Sequence, residues 1–138
     1  MRARYLIDKS ALARMPREAV RQRLSPIIES GEAATCDIIE LEVLYSARSR
    51  EDYERTRQRR SLTYHSIPIT PATLQRALAV QEELARTGHH RVAIPDLIIA
   101  AAAEAAGVAI LHYDHDYDVI AQVTGQAVEW VVERGSVP

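Results

Sequence analysis

Ile94-Pro95-Asp96-Leu97-Ile98-Ile99-Ala100-Ala101-Ala102-Ala103-Glu104-Ala105-Ala106-Gly107-Val108-Ala109-Ile110-Leu111 is the stretch that decides the fold. From Asp96 to Ala106 it is almost wholly apolar, which predicts a helix buried on most of its surface and packed closely against its neighbours through alanine. Gly107 stops that helix, and Val108 to Leu111 is the best strand candidate in the chain. Strands buried on both faces read as continuous apolar runs, so a helix of this kind feeding such a strand points to a parallel sheet covered by helices.

The same alternation extends in both directions. Upstream, Tyr5-Leu6-Ile7 reads as a short strand ending at Asp8, with Asp8 or Ser10 able to cap the helical stretch that follows. Arg17 to Glu29 reads as an amphipathic helix with Val20, Leu24, Ile27 and Ile28 at helical spacing, ended by Gly31. Ala33 to Cys36 is a second strand, and Asp37 is expected to cap a helix through Ile38, Leu41, Leu44 and Tyr45. An arginine-rich segment continues as a further helix to about Leu62. His65-Ser66-Ile67 is a strand closed by Pro68. Pro71 opens a helix with Leu74, Ala77, Leu78, Gln81 and Leu84 along one side, stopped by Gly88. After Leu111 come a polar turn, a short helix near Val119 to Val123 and a last strand around Ala127 to Val132. No internal repeat, low-complexity tract or linker interrupts the pattern, so residues 1–138 are expected to form a single α/β domain.

Composition narrows the chemistry. At 47% hydrophobic and 26% charged, the chain suits one folded core and not a disordered state. No run approaches the roughly 18 apolar residues that a membrane helix needs. The amino-terminal segment meets Asp8 before a signal-like apolar run forms, so a soluble, unexported, cytoplasmic chain is expected. Cys36 is the single cysteine, which excludes an internal disulfide and a thiolate metal site and leaves oxygen or histidine as possible ligands. Net charge is only −2, but 16 of the 17 basic residues are arginine, and Arg48, Arg50, Arg55, Arg57, Arg59 and Arg60 fall within 13 positions. Guanidinium forks suit phosphate and carboxylate recognition, although a charged helix face is also commonly just solvated.

The acids fall where an open parallel sheet gathers ligands, at the carboxyl ends of its strands. Asp8 follows the first strand and Asp114 follows the strand ending at Leu111. Asp96, after Pro95, starts the buried helix, where capping is the bland reading and a place in the same crevice the functional one. Glu40 and Glu42 sit on one helix among apolar neighbours, and periodicity does not separate them. Asp114-His115-Asp116-Tyr117-Asp118 taken alone is turn chemistry. Taken as a set, carboxylates sharing a low-dielectric crevice repel one another unless a cation compensates, and hard oxygen ligands without thiolate suit Mg2+ or Mn2+. Such a site can align phosphodiester oxygens and activate a water.

In this order the residues resemble the PIN domain, and within it the VapC-like ribonuclease toxins of bacterial and archaeal toxin-antitoxin pairs. The matching pieces are Tyr5-Leu6-Ile7-Asp8-Lys9-Ser10-Ala11, Glu42-Val43-Leu44-Tyr45-Ser46-Ala47-Arg48, Ile94-Pro95-Asp96-Leu97-Ile98-Ile99-Ala100-Ala101 and Asp114-His115-Asp116-Tyr117. The resemblance spans essentially the whole chain. It implies a three-layer α/β/α sandwich with a central, mainly parallel sheet and a Mg2+- or Mn2+-dependent endoribonuclease acting on transfer or ribosomal RNA. Asp8 and Asp96 then look like direct metal ligands, Glu42 and Asp114 complete an acidic quartet, and Asp116 looks like an accessory acid. The register of the resemblance favours Glu42 over Glu40. It further implies a cognate antitoxin that blocks the site, a homodimer, and a toxin-antitoxin hetero-oligomer. RNA contacts are expected from Arg48, Arg50 and His112, with the arginine-rich helix facing either the RNA backbone or the antitoxin. His112 stands where the family commonly has a hydroxyl residue.

Other readings of the acids fit less well. A haloacid dehalogenase-type phosphotransferase needs a second Asp two residues after the first, where Ser10 stands. A phospho-receiver needs a late lysine, and the only lysine is Lys9. Zinc at His89-His90 or at His112 with His115 lacks further ligands at a recognisable spacing. A PIN-type processing nuclease without an antitoxin and a non-catalytic module of the same fold remain as alternatives. The first is distinguished by the absence of a neighbouring antitoxin reading frame, the second by the absence of metal-dependent cleavage.

Overall fold

Successive residues of the inner strands point to opposite sides of the sheet, and this period of two builds two cores. In the computed structural model, which describes residues 2–138, Leu6, Ala34 and Ile110 pack into one core while their neighbours Ile7, Ala33 and Leu111 pack into the other. The strands are β1 (Tyr5–Ile7), β2 (Ala33–Thr35), β3 (His65–Ser66), β4 (Ala109–His112) and β5 (Val128–Trp130). They form one sheet in the order β3-β2-β1-β4-β5. Every pairing is parallel, with Leu6 in register with Ala34 on one side and Ile110 on the other.

Helices α1 (Lys9–Leu12) and α2 (Glu18–Glu29) supply Ala11, Val20, Leu24 and Ile27 to the core around Ile7 and Leu111. On the other face lie α3 (Asp37–Leu44), α5 (Pro71–Ala85), α6 (Ile94–Ala106) and α7 (Asp116–Thr124). The expected α/β/α sandwich is therefore present. The chain runs outward from β1 to β2 and β3, then crosses back to β4 and β5. The reversal falls between β1 and β4, so the carboxyl ends of those two strands flank the topological switch point where parallel sheets open a crevice.

The alanine-rich stretch behaves as its composition predicts. Leu97 and Ile99 to Ala103 of α6 are buried, and Gly107 terminates the helix with φ +69°. Because Ala102 is fully enclosed, Ala102→Leu is expected to overpack the contact and lower the urea-unfolding free energy by about 1–3 kcal/mol.

Three expectations need correction. Asp37 is the first helical residue of α3 and does not cap it, since the residue before it is an extended Cys36 with no side-chain cap bond. The core side of α3 is Ile39 and Leu44, while Leu41 and Tyr45 are 66% and 89% exposed. With Ile38, Ile39, Leu41, Val43 and Leu44 spread around it, this helix has no polar face to mark its outside. The stripe expected on α5 is likewise split, with Leu74 and Leu78 exposed and Thr73, Ala77, Val80 and Leu84 inside. Thr73 tolerates burial because its hydroxyl is satisfied in a capping box with Thr70. The arginine-rich helix α4 (Arg50–Thr63) is separate from α3 and is started by Ser49, which accepts from the Asp52 N–H. Its one buried residue is Arg60.

Candidate active site

Each acid reaches the switch point from a different element. Asp8 caps α1 directly after β1, accepting from the Ser10 N–H. Asp96 lies in the first turn of α6, whose cap position is Ala93, so the capping reading of Asp96 does not hold. Asp114 lies in the turn after β4, and Asp116 opens α7. One ligand atom from each of Asp96, Asp114 and Asp116 lies within 4.8 Å of the others. The N–H of Asp116 donates to Asp114 Oδ1 at 2.9 Å, and Asp116 Oδ2 accepts from the Ala93 N–H at 3.1 Å, tying the starts of α6 and α7 together.

Asp8 is connected to this group through Tyr117. The Tyr117 hydroxyl, fully buried, lies 2.8 Å from Asp8 Oδ1 and 3.2 Å from Asp96 Oδ1 and donates toward both. Asp8 Oδ2 accepts from the Ser10 N–H at 3.0 Å and from its hydroxyl at 2.6 Å, while the Ser10 hydroxyl oxygen accepts from the Tyr113 N–H beyond β4. Asp8 is thus held at both oxygens. Asp96 is held at one, and its Oδ2 is buried without a partner.

The electrostatics follow from that crowding. Burial, together with the nearby charges of Asp114, Asp8 and Asp116, pushes the Asp96 carboxyl up to about 8, against the opposing hydrogen bond from Tyr117. Burial and the charges of Asp8 and Asp114 raise Glu42, partly offset by Lys9. An orphaned carboxylate oxygen, all-oxygen donors and mutual repulsion are what a hard divalent cation would relieve, so the residues fit such an ion.

A model of the PIN domain matches residues 5–123. The chain belongs to the PIN domain family. Two Mycobacterium tuberculosis H37Rv proteins are full-length relatives of this PIN domain. Ribonuclease VapC21 is 50% identical over 139 residues, with 99% of each chain covered, and Ribonuclease VapC51 is 42% identical over 137 residues at the same coverage. The PIN fold also superposes on a chain of a DNA-bound VapBC crystal structure from Salmonella typhimurium with a TM-score of 0.71. That match is 16% identical and covers 94% of this chain and 99% of that one.

Within this PIN domain the remaining expected residues divide clearly. Glu40 is structural. Its carboxylate takes a forked pair of bonds from Arg60 at 2.8–3.1 Å and accepts the Thr35 hydroxyl. Burial acts to raise its pKa, but the Arg60 and Thr35 bonds prevail and hold it below the usual glutamate value. Glu42 carries no such pairing and feels the charges of Asp8 and Asp114. Glu40→Gln is therefore expected to cost about 1–3 kcal/mol of stability, as loss of charged hydrogen bonds does. The site acids are left in place, so the effect should be seen in unfolding curves and not in RNA cleavage, whereas Glu42→Gln should do the reverse.

His112, expected among the RNA contacts, is fully buried and cannot touch RNA in this conformation. Its Nδ1 accepts from the Asp114 N–H at 3.1 Å, so Nδ1 carries no proton, and burial keeps the ring neutral by lowering its pKa. The imidazole is the acceptor that shapes the Asp114 turn. Arg48 and Arg50 are exposed beside the start of α4, where Arg50 pairs with Glu54 at 3.0 Å. Among the described residues no bond joins either one to the acids. Tyr117 received no role from the sequence, and Ser10 only that of an alternative helix cap, whereas it is Asp8 that caps α1. A tyrosine directly after Asp116, in a segment otherwise polar, was the available signal for the first.

Proposed function

We propose that this PIN-domain protein is the toxic endoribonuclease of a toxin-antitoxin pair, hydrolysing RNA phosphodiester bonds with Mg2+ or Mn2+. Asp96, Asp114 and Asp116, whose oxygens converge, would hold the ion, in place of the Asp8 and Asp96 pair that the resemblance implies, with Asp8 and Glu42 completing the acidic set. The carrying observation is the convergence of the Asp96, Asp114 and Asp116 carboxylates, together with an Asp96 Oδ2 that is buried without a partner. The ribonuclease names of full-length relatives and the toxin-antitoxin assemblies among structural neighbours support the substrate and the partner.

A bound ion there supplies Lewis-acid activation of water and neutralises charge on the phosphodiester oxygens. The protein's own part is fixed geometry. Asp8, anchored by Ser10 and Tyr117, provides a stationary negative charge. Asp114 is set by His112 and Asp116, and Asp116 is set by the backbone of Ala93. Arg48 and Arg50 are the proposed RNA contacts, since both are exposed and guanidinium suits phosphate. Transfer or ribosomal RNA is the proposed substrate, and the cytoplasm the proposed compartment. A homodimer, with antitoxin bound in a hetero-oligomer, is the proposed assembly. No helix of the described residues is long and apolar enough to cross a membrane.

The test is induction of the chain alone in a bacterial host, beside Asp8→Asn and Asp96→Asn at equal soluble levels. Growth arrest with discrete new RNA ends, absent in both variants, is the expected result. Equal growth and intact RNA in all three would favour a non-catalytic module, and arrest by the variants would remove the acids from the chemistry.

A further inference from the structure

We infer that the Tyr117 hydroxyl is the positioning group of the acidic site, bonding Asp8 and Asp96 at once so that Asp96 Oδ2 stays free for a cation; this rests on the cation-site reading above. The ring of Tyr117 has an ordinary packing role, lying 5.1 Å from the His112 ring in a core where it is fully buried. A phenylalanine would serve that purpose. The hydroxyl is the additional feature, and a buried hydroxyl needs a partner. It takes two carboxylates, from residues 109 and 21 positions away in sequence, and no backbone carbonyl.

The consequence is geometric. The terminal torsion of an aspartate is broad and roughly two-fold, so an Asp96 repelled by Asp8, Asp114 and Asp116 has little to fix its plane. Among the described residues the Tyr117 hydroxyl is the one hydrogen-bond partner of the Asp96 carboxylate, and it holds Oδ1. Pinning Oδ1 leaves Oδ2 as the open ligand atom. Asp8 does not depend on Tyr117 to the same degree, because Ser10 holds its other oxygen twice. Tyr117 therefore acts on the metal through Asp96 and touches neither ion nor substrate. Groups that orient ligands in this way typically change metal affinity or activity by about 10–100-fold when removed.

Tyr117→Phe keeps the ring and deletes only the hydroxyl. Mn2+ is titrated into wild type, Tyr117→Phe and Asp96→Asn by calorimetry, alongside thermal unfolding with and without saturating Mn2+ and cleavage of total bacterial RNA. The expected result is Mn2+ binding by Tyr117→Phe weakened roughly 10–100-fold, with cleavage recovered as Mn2+ is raised. A purely structural tyrosine would lower the melting temperature and leave the Mn2+ affinity of the folded protein unchanged. Equal affinities in wild type and Tyr117→Phe overturn the role of Tyr117 while leaving the cation site standing. Failure of the wild type to bind Mn2+ overturns both. If Tyr117→Phe is destabilised, the Mn2+ concentration needed to raise its melting temperature decides: a requirement roughly 10–100-fold above that of wild type supports the inference, and the wild-type requirement overturns it.

Discussion

Asp96→Asn is expected to lower RNA cleavage by roughly 10³-fold or more while the protein stays folded. Asparagine has the shape of aspartate and retains an acceptor for the Tyr117 hydroxyl, so the first turn of α6 and its contacts survive. What goes is the negative charge and one anionic oxygen from the point where three carboxylates converge. Metal-assisted hydrolysis draws several kcal/mol from the ion, and each 1.36 kcal/mol is a factor of ten in rate. Losing most of that contribution gives about three decades. The folded state should not suffer, because the metal-free Asp96 carboxyl is held uncharged up to about pH 8, and asparagine is an uncharged group of the same shape. Initial cleavage rates at saturating Mg2+, paired with urea unfolding of both proteins, check the two halves of the expectation.

The stability of the metal-free protein should fall as pH rises from about 6.5 to 8.5. In the fold Asp96 keeps its proton up to about pH 8, whereas its ordinary value is 3.8. Between those values the folded state binds more protons than the unfolded one, so unfolding becomes easier with rising pH, by up to roughly 1.4 kcal/mol per pH unit for one proton. His112 acts in the opposite sense at lower pH. Its folded pKa lies below 6.5 through burial, so its contribution to stability grows as pH rises toward 6.5 and is constant above. Measuring above pH 6.5 therefore isolates the acid. Saturating Mg2+ or Mn2+ should abolish the decline, because the ion replaces the proton as the compensating charge, and Asp96→Asn should flatten it with no metal present. Melting temperatures across the range, with and without ion, report both effects.

Most of the scaffold was legible because its signals are local. The doublets Leu6-Ile7, Ala33-Ala34 and Ile110-Leu111 are apolar on both faces, as covered parallel strands require, and Gly107 marks its helix end with a left-handed φ. Asp8 and Asp114 were readable as acids at strand ends, and the strand order then brings those ends side by side. The faces of α3 and α5 were not readable. Leu41, Tyr45, Leu74 and Leu78 are as apolar as the residues that face the core, and only the packed neighbours decide which side turns inward. Periodicity did not separate Glu40 from Glu42 for the same reason; the register of the family resemblance favoured Glu42, and the physical cause is Arg60, 20 residues on, which pairs with Glu40. His112 and Tyr117 escaped for a different reason. Their functions lie in which atom meets which partner, the Asp114 backbone for one and two distant carboxylates for the other, and no spacing rule carries that information.

The most direct test of the central claim is the metal dependence of RNA cleavage by the purified protein. Wild type stripped with EDTA is incubated with total bacterial RNA, then supplied with Mg2+ or Mn2+, beside Asp96→Asn treated identically. The acidic-site account predicts no cleavage after stripping, discrete fragments on adding either ion, and no fragments from Asp96→Asn at any ion concentration. Cleavage that persists in EDTA, or that Asp96→Asn retains in full, would contradict it.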